Sequence, residues 1–356
     1  MLCLSLITLS LSALAYASPA KRAQALSVSV TGPGSVDSIS DLKLTALVKN
    51  SGAEDVKILK YGTVLDGSMP TRSFRVSKDG KAAKFTGVKM SVDMKKVGDN
   101  AFVTIPAGQT YTVEHDISSL YDFETLGTGS YSIEPVTTFQ IMSNESEPAS
   151  KAKAQIGAEA VSVTVNKDVA KKDLKVNTKR ATVSCDTSDA SYIRSSYSEG
   201  QTLAQIASDY VSSNGADDLF TSYFGTTSTG SVIDVLDNVA NEDDSSRTLN
   251  CDDPYDACEQ GVIAYTLIAT TNIYFCDIFY DEVPQSNLCS GTSVADRDIR
   301  GGTVLHELTH ATSDTEDVGY GCSSDQSLAS SDPESAANNA DNYNCFATQV
   351  YADTQC

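Results

Sequence analysis

The sequence predicts an α+β protein in two parts: a β-rich N-terminal half built as an antiparallel sandwich, then a mainly helical half with a small hairpin. Three observations predict it. Up to Arg180 there are 22 Lys and Arg against 18 Asp and Glu, giving +4, whereas from Ala181 onward four arginines face 29 acids, giving −25. Cysteine divides at the same place, with Cys3 alone early and eight more between Cys185 and Cys356. Apolar residues alternate in short runs before the divide and fall at helical spacing after it.

The chain opens with an apolar run from Leu4 to Ala15, followed by Ala15-Tyr16-Ala17, a small-x-small cleavage site. Residues 1–17 therefore read as a secretory signal peptide. A secreted, extracellular chain permits disulfides, which suits the late cysteines. No apolar run of about 18 residues follows, so no membrane-spanning helix is expected. A net charge of −21 argues against a nucleic-acid partner, since phosphate neutralisation needs clustered Lys and Arg.

Strand signals come next. Leu26-Ser27-Val28-Ser29-Val30 alternates, Gly32-Pro33-Gly34 breaks the run, and Leu42, Leu44, Ala46 and Val48 alternate again. Further runs are Phe74 to Val76, Phe102 to Ile105, Tyr111 to Val113, Tyr131 to Ile133 and Val161 to Val165. Short strands punctuated by Gly, Pro and Asn predict the sandwich. Asn144-Glu145-Ser146 is a glycosylation sequon, and His115, alone in a strand pattern, reads as structural. The polar stretch Lys171 to Ser184 contains Lys179-Arg180, a dibasic pair where a processing endoprotease can reach the chain. Residues 18–180 are thus expected to be a propeptide and residues 181–356 the mature domain.

In the second half Leu203, Ile206, Ala207, Tyr210 and Val211 mark one helical face, and Val232, Val235 and Leu236 another. Val262 to Ile268 and Ile273 to Tyr280 predict a hairpin around Thr270-Thr271-Asn272. Ala336, Ala337, Ala340, Tyr343, Phe346, Ala347 and Val350 predict a C-terminal helix. Eight cysteines allow 105 pairings. They lack a C-x2-C pair, so bridges are expected rather than a metal cluster.

The chemistry lies at Gly302-Thr303-Val304-Leu305-His306-Glu307-Leu308-Thr309-His310, which contains H-E-x-x-H. On a helix, His306 and His310 share one face and can hold one zinc ion. Glu307 stands beside them to take a proton from a water whose pKa zinc lowers from 15.7 to about 7. These are also the only two histidines after Arg180. A catalytic zinc usually takes three protein ligands. No third histidine is available here, which excludes the longer metzincin pattern. Where thermolysin-like enzymes place a glutamate, Ala329 and Ser330 stand. The nearby acids Asp314, Glu316 and Asp317 remain.

Thr315-Glu316-Asp317-Val318-Gly319-Tyr320-Gly321 resembles the T-x-D-x-x-Y-G end of the signature of the deuterolysin family, the fungal aspzincin metalloendopeptidases. The resemblance implies a zincin-like mature domain with Asp317 as third zinc ligand and one zinc per chain. It also implies that Tyr320 donates to the oxyanion of the tetrahedral intermediate, a sensible use of a phenol. The family writes Gly where this chain has Asp314; Asp314 and Glu316 read as solvated loop acids. Its bridges carry over as Cys185–Cys251, Cys258–Cys276 and Cys289–Cys356, leaving Cys322–Cys345. Asp341 resembles an acid lining the pocket after the scissile bond in lysine-preferring relatives; alternatively it is a helix N-terminal acid favoured by the dipole.

The expected function is a secreted zinc endopeptidase made as an inactive precursor, cutting proteins or peptides with a bias to basic ones. The acidic mature domain would draw such substrates at long range. A substrate is expected to add as a strand along the hairpin edge. The propeptide loses Cys3 with the signal, so masking must use steric cover or a ligand other than a thiol. The rival reading is a secreted zinc-binding effector without proteolytic activity; an intact Glu307 argues against it.

Overall fold

A computed structural model describes residues 26–142, 148–153, 155–156, 160–176 and 185–356. The signal segment 1–17, the sequon at Asn144 and the dibasic cut at Lys179-Arg180 lie outside the described residues.

The N-terminal half is built from β-sheets. Leu26–Thr31 buries Leu26, Val28 and Val30 on one face and pairs antiparallel with Lys43–Asn50, which in turn pairs with Thr110–Asp116. Facing them, Gly129–Pro135 lies between Phe74–Lys78 and Val161–Asp168, again antiparallel. The inward residues, among them Val28, Leu44, Val48, Phe74, Tyr131, Ile133 and Val163, form one core. Period-two alternation places every second side chain there. Two edge pairings depart from the antiparallel expectation: Ser35–Ser38 runs parallel to Val161–Asp168, and Gln155–Ile156 parallel to Leu26–Thr31. His115 is structural: its Nε2 lies 3.0 Å from the Val64 carbonyl and its ring meets Phe74 edge-on.

The C-terminal half contains, among the described residues, helices α1 (Thr187–Asn214), α2 (Asp218–Phe224), α3 (Thr229–Ala240), α4 (Arg300–Ser313), α5 (Cys322–Ser331), α6 (Pro333–Ala337) and α7 (Ala340–Gln355). Asp186 opens α1 by accepting from the Asp189 N–H, and Gly215 closes it at φ 65°. Side-chain capping of this kind satisfies donors that the first turn leaves orphaned. α4 is buried from Gly301 to His310. It can lie against α1 because Gly200 faces it: a Cβ there would stand 3.0 Å from the Gly301 carbonyl oxygen.

Two elements differ from expectation. The hairpin Val262–Leu267 and Asn272–Phe275 forms, but its second strand ends at Phe275 rather than Tyr280. Beyond it Cys276 is bridged to Cys258, and Asp277–Asp281 winds into a 3-10 turn that buries Phe279. The single C-terminal helix is two, α6 and α7, broken at Asn338 and Asn339. Asn339 is fully buried, and its side chain accepts from the Val318 and Gly319 N–H groups and donates to the Gly319 carbonyl. The break therefore fixes the loop that carries Asp317.

One strand was not anticipated. Val88–Val92, from the N-terminal half, adds antiparallel to Val262–Leu267, and all five of its residues are buried. The result is a four-stranded sheet shared by both halves, in which Met90 stands opposite Tyr265. An apolar cluster of Leu59, Met69, Val88 and Met90 against Val262, Tyr265, Tyr274 and Tyr320 seals the contact.

Candidate active site

Helix geometry brings His306 and His310 onto one face, as one turn apart requires. Their Nε2 atoms are 3.1 Å apart, and Asp317 Oδ1 lies 3.1 Å from the first and 3.2 Å from the second. Asp317 arrives from the loop after α4, which Asn339 holds in place. His310 is oriented by its Nδ1, 2.8 Å from the Thr315 carbonyl oxygen. Behind His306, the Asp341 carboxylate stands 3.5 Å from Nδ1. Such outer partners fix the orientation of metal-ligating rings.

Three donor atoms aimed at one point suit a divalent cation, and the local electrostatics agree. Burial opposes charging of the His306 ring, yet the Asp317 and Asp341 carboxylates outweigh it and hold the pKa up at about 10. Burial would raise Asp317, but the two imidazoles hold it well below the usual carboxylate range. His, His and Asp is a donor set that fits zinc. A second acidic group, Asp325, Asp341 and Cys345, does not compete, because Cys345 is bridged to Cys322.

Glu307 is fully buried next to this group. Its Oε2 accepts from the Thr266 hydroxyl at 2.7 Å, while Oε1 makes no full hydrogen bond. Burial pushes its pKa to about 8, against His306, and the Ser91 backbone N–H also opposes the rise. An orphaned oxygen on a buried carboxyl is costly, and its position beside three ligand atoms gives it a use. Burial likewise raises the Tyr320 hydroxyl well above its ordinary value, so it stays a donor. It donates to the Met90 carbonyl at 3.1 Å.

Met90 therefore sits in the centre of the site. Its carbonyl oxygen is also 3.3 Å from His306 Nε2, and its N–H donates to Asp317 Oδ2 at 2.6 Å. Nothing in the alternation of Val88-Lys89-Met90-Ser91-Val92 marks this role, because both of its faces are covered. Of the two acids expected to be solvated, Asp314 is an exposed one, though it pairs with Lys89 at 2.6 Å, whereas Glu316 is largely buried and bonded by Arg72.

Asp341 does not line an open pocket. It lies fully buried in the first turn of α7, ion-paired to Arg297 and accepting from the Gly321 N–H at 2.6 Å. Arg297 in turn donates to the Val92 carbonyl at 2.9 Å. The structure joins Cys185 to Cys251, Cys258 to Cys276, Cys289 to Cys356 and Cys322 to Cys345. The last bridge ties the residue after Gly321 to α7.

The sequence profile described as the deuterolysin metalloprotease (M35) family matches residues 1–356. A peptidyl-Lys metalloendopeptidase of Armillaria mellea is 30% identical over 354 residues, covering 96% of this chain and 95% of that protein. A neutral protease 2 homolog of Aspergillus fumigatus is 30% identical over 356 residues, covering 96% of this chain and 74% of its own. Among solved structures, a zinc peptidase from Grifola frondosa aligns at 26% identity with a TM-score of 0.39, over 46% of this chain and 97% of that one.

Proposed function

The chain belongs to the deuterolysin metalloprotease family and is a zinc metalloendopeptidase, and on that premise we propose how its own residues divide the work. His306, His310 and Asp317 hold one zinc ion. Zinc in that position supplies Lewis-acid polarisation of a carbonyl and acidifies water. Glu307 takes the water's proton and passes it to the departing amine, as a general base that becomes a general acid. Tyr320 donates its O–H to the oxygen on which negative charge develops. The observation that carries the reading is the Met90–Ser91 peptide group. Its carbonyl accepts from Tyr320 beside the ligand atoms, and its Ser91 N–H approaches Glu307. A substrate peptide bond needs the same placement.

On this reading Val88–Val92 is a substrate-like strand that covers the site before processing. Residues 1–17 direct secretion, residues 18–180 fold over the site, and a processing endoprotease cuts after Lys179-Arg180. The four disulfides fit an extracellular protein. Basic proteins are the favoured substrates: the domain from Ala181 carries −25, and two relatives bear the name peptidyl-Lys metalloendopeptidase.

The test is purification of the secreted protein, with N-terminal sequencing, metal analysis and protein digestion on one sample. The expected result is a start at Ala181, about one zinc per chain, and activity lost to a chelator and restored by zinc. Basic proteins should be cut faster than acidic ones at low salt, with the difference shrinking as salt rises. Zinc retained with no proteolysis would favour the non-proteolytic effector instead.

A further inference from the structure

Lys89 is the residue before Met90 in the covering strand, and its side chain is only 2% exposed. A buried ammonium is costly unless it is fully paired. Here the pairing is complete. Nζ donates to Asp314 Oδ1 at 2.6 Å, to the Thr315 carbonyl at 2.7 Å and to the Asp314 carbonyl at 3.1 Å, with Glu316 Oε1 at 3.4 Å. All of these acceptors belong to the segment just after α4.

The acceptors are fixed by the active site itself. Asp314 ends α4 in the left-handed conformation, φ 54°, with its N–H bonded to the His310 carbonyl. The Thr315 carbonyl also meets His310 Nδ1. The pocket is thus built onto the metal helix at a set distance from the catalytic groups. Glu316 receives a second cation, Arg72. Both cations come from residues 18–180, so their departure leaves two carboxylates and a carbonyl without their partners.

We propose that Asp314, the Thr315 carbonyl and Glu316 form a cation pocket of the mature enzyme. It takes a lysine side chain at the second residue before the scissile bond. This rests on the reading above, in which the Met90–Ser91 group occupies the place of the substrate bond. The backbone register sets the position: Lys89 stands opposite Thr266 and Met90 opposite Tyr265, so an added substrate strand presents one side chain to this pocket. The pocket is separate from Asp341, which lies buried behind His306 and is paired to Arg297. The acid at 314, where the family has Gly, supplies the shortest contact.

The experiment uses enzyme processed from the full-length secreted chain. Quenched peptides share one scissile bond and carry Lys, Ala or Glu two residues before it. Charge-assisted hydrogen bonds predict that Lys exceeds Ala by about tenfold or more in kcat/KM, with Glu poorest. In Asp314→Ala, and further in Asp314→Ala with Glu316→Gln, the Lys-to-Ala ratio should fall toward one. A readout without turnover uses the peptide of residues 86–94 bound to processed Glu307→Gln enzyme: Lys89→Ala should weaken its affinity by a similar factor. A Lys-to-Ala ratio near one in the unaltered enzyme overturns the pocket while leaving the peptidase reading intact, as does a ratio that survives the double substitution. Failure to cut any peptide, with zinc bound, overturns both.

Discussion

The N-terminal half closes its core with β pairing and has no cysteine after residue 17, whereas the C-terminal half packs helices around α4 and is stapled by four disulfides. Each half keeps its own core, and a third apolar cluster joins them. Among the described residues the ion pairs across that joint have one sense: Arg72, Lys89 and Lys95 of the first half meet Glu316, Asp314 and Asp296 of the second. A disulfide removes disorder from the unfolded chain whether or not a neighbour is present, at about 2–4 kcal/mol each. Strand pairing across a joint lasts only while both strands are there. The difference suits the proposed processing, in which the second half persists and the first is discarded.

The largest expected effect would break the comparison at its chemical centre. Glu307→Gln should leave zinc bound and lower proteolysis by about 10²-fold or more, since it removes the proton acceptor but none of the ligands. Metal content and casein hydrolysis on the same sample check this, and appreciable turnover would remove the general-base role. Asp317→Ala should instead lower zinc occupancy. Loss of metal in Asp314→Ala with none in Asp317→Ala would reassign the third ligand.

The second prediction sharpens the division between the halves. Arg180→Gln should block processing and leave an uncut, inactive chain. Adding Met90→Pro should restore part of the activity without a cut, because proline deprives the strand of the N–H that reaches Asp317. Full activity of the uncut Arg180→Gln chain would show that the first half does not mask the site.

The smallest effect separates the halves by pH. Glu282, behind α4, accepts from the Thr303 hydroxyl at 2.8 Å, and burial raises its pKa from 4.5 to about 8. The folded chain then holds a proton that the unfolded chain releases. Its contribution is complete below about 4.5 and is lost as pH rises through about 8, at roughly a kcal/mol per pH unit. Melting temperature of the uncut chain across this window should fall with pH, and Glu282→Gln should flatten the slope. An unchanged slope would mean that Glu282 is already ionised in the folded protein.

The sequence by itself determined the division near residue 180, the alternating strands around Val28 and Val48, and the placing of His306 and His310 on one helix face. These are local properties: charge, period and an i, i+4 spacing need no distant partner. The resemblance at Thr315 to Gly321 brought Asp317 and Tyr320 to notice. Only the tertiary structure decided the rest. Val88–Val92 escaped notice because a strand is recognised by one wet face and one dry, and here Lys89 and Ser91 are buried against the other half of the chain. Between a pocket acid and a helix N-terminal acid the sequence could not choose for Asp341, because it cannot show that Arg297, 44 residues away, holds the carboxylate within the first turn of α7. For the same reason sequence cannot show that Arg72, 244 residues away, bonds Glu316, or that Lys89 reaches Asp314. Burial and pairing are set by what packs against a residue from far along the chain, and no local pattern encodes that neighbour.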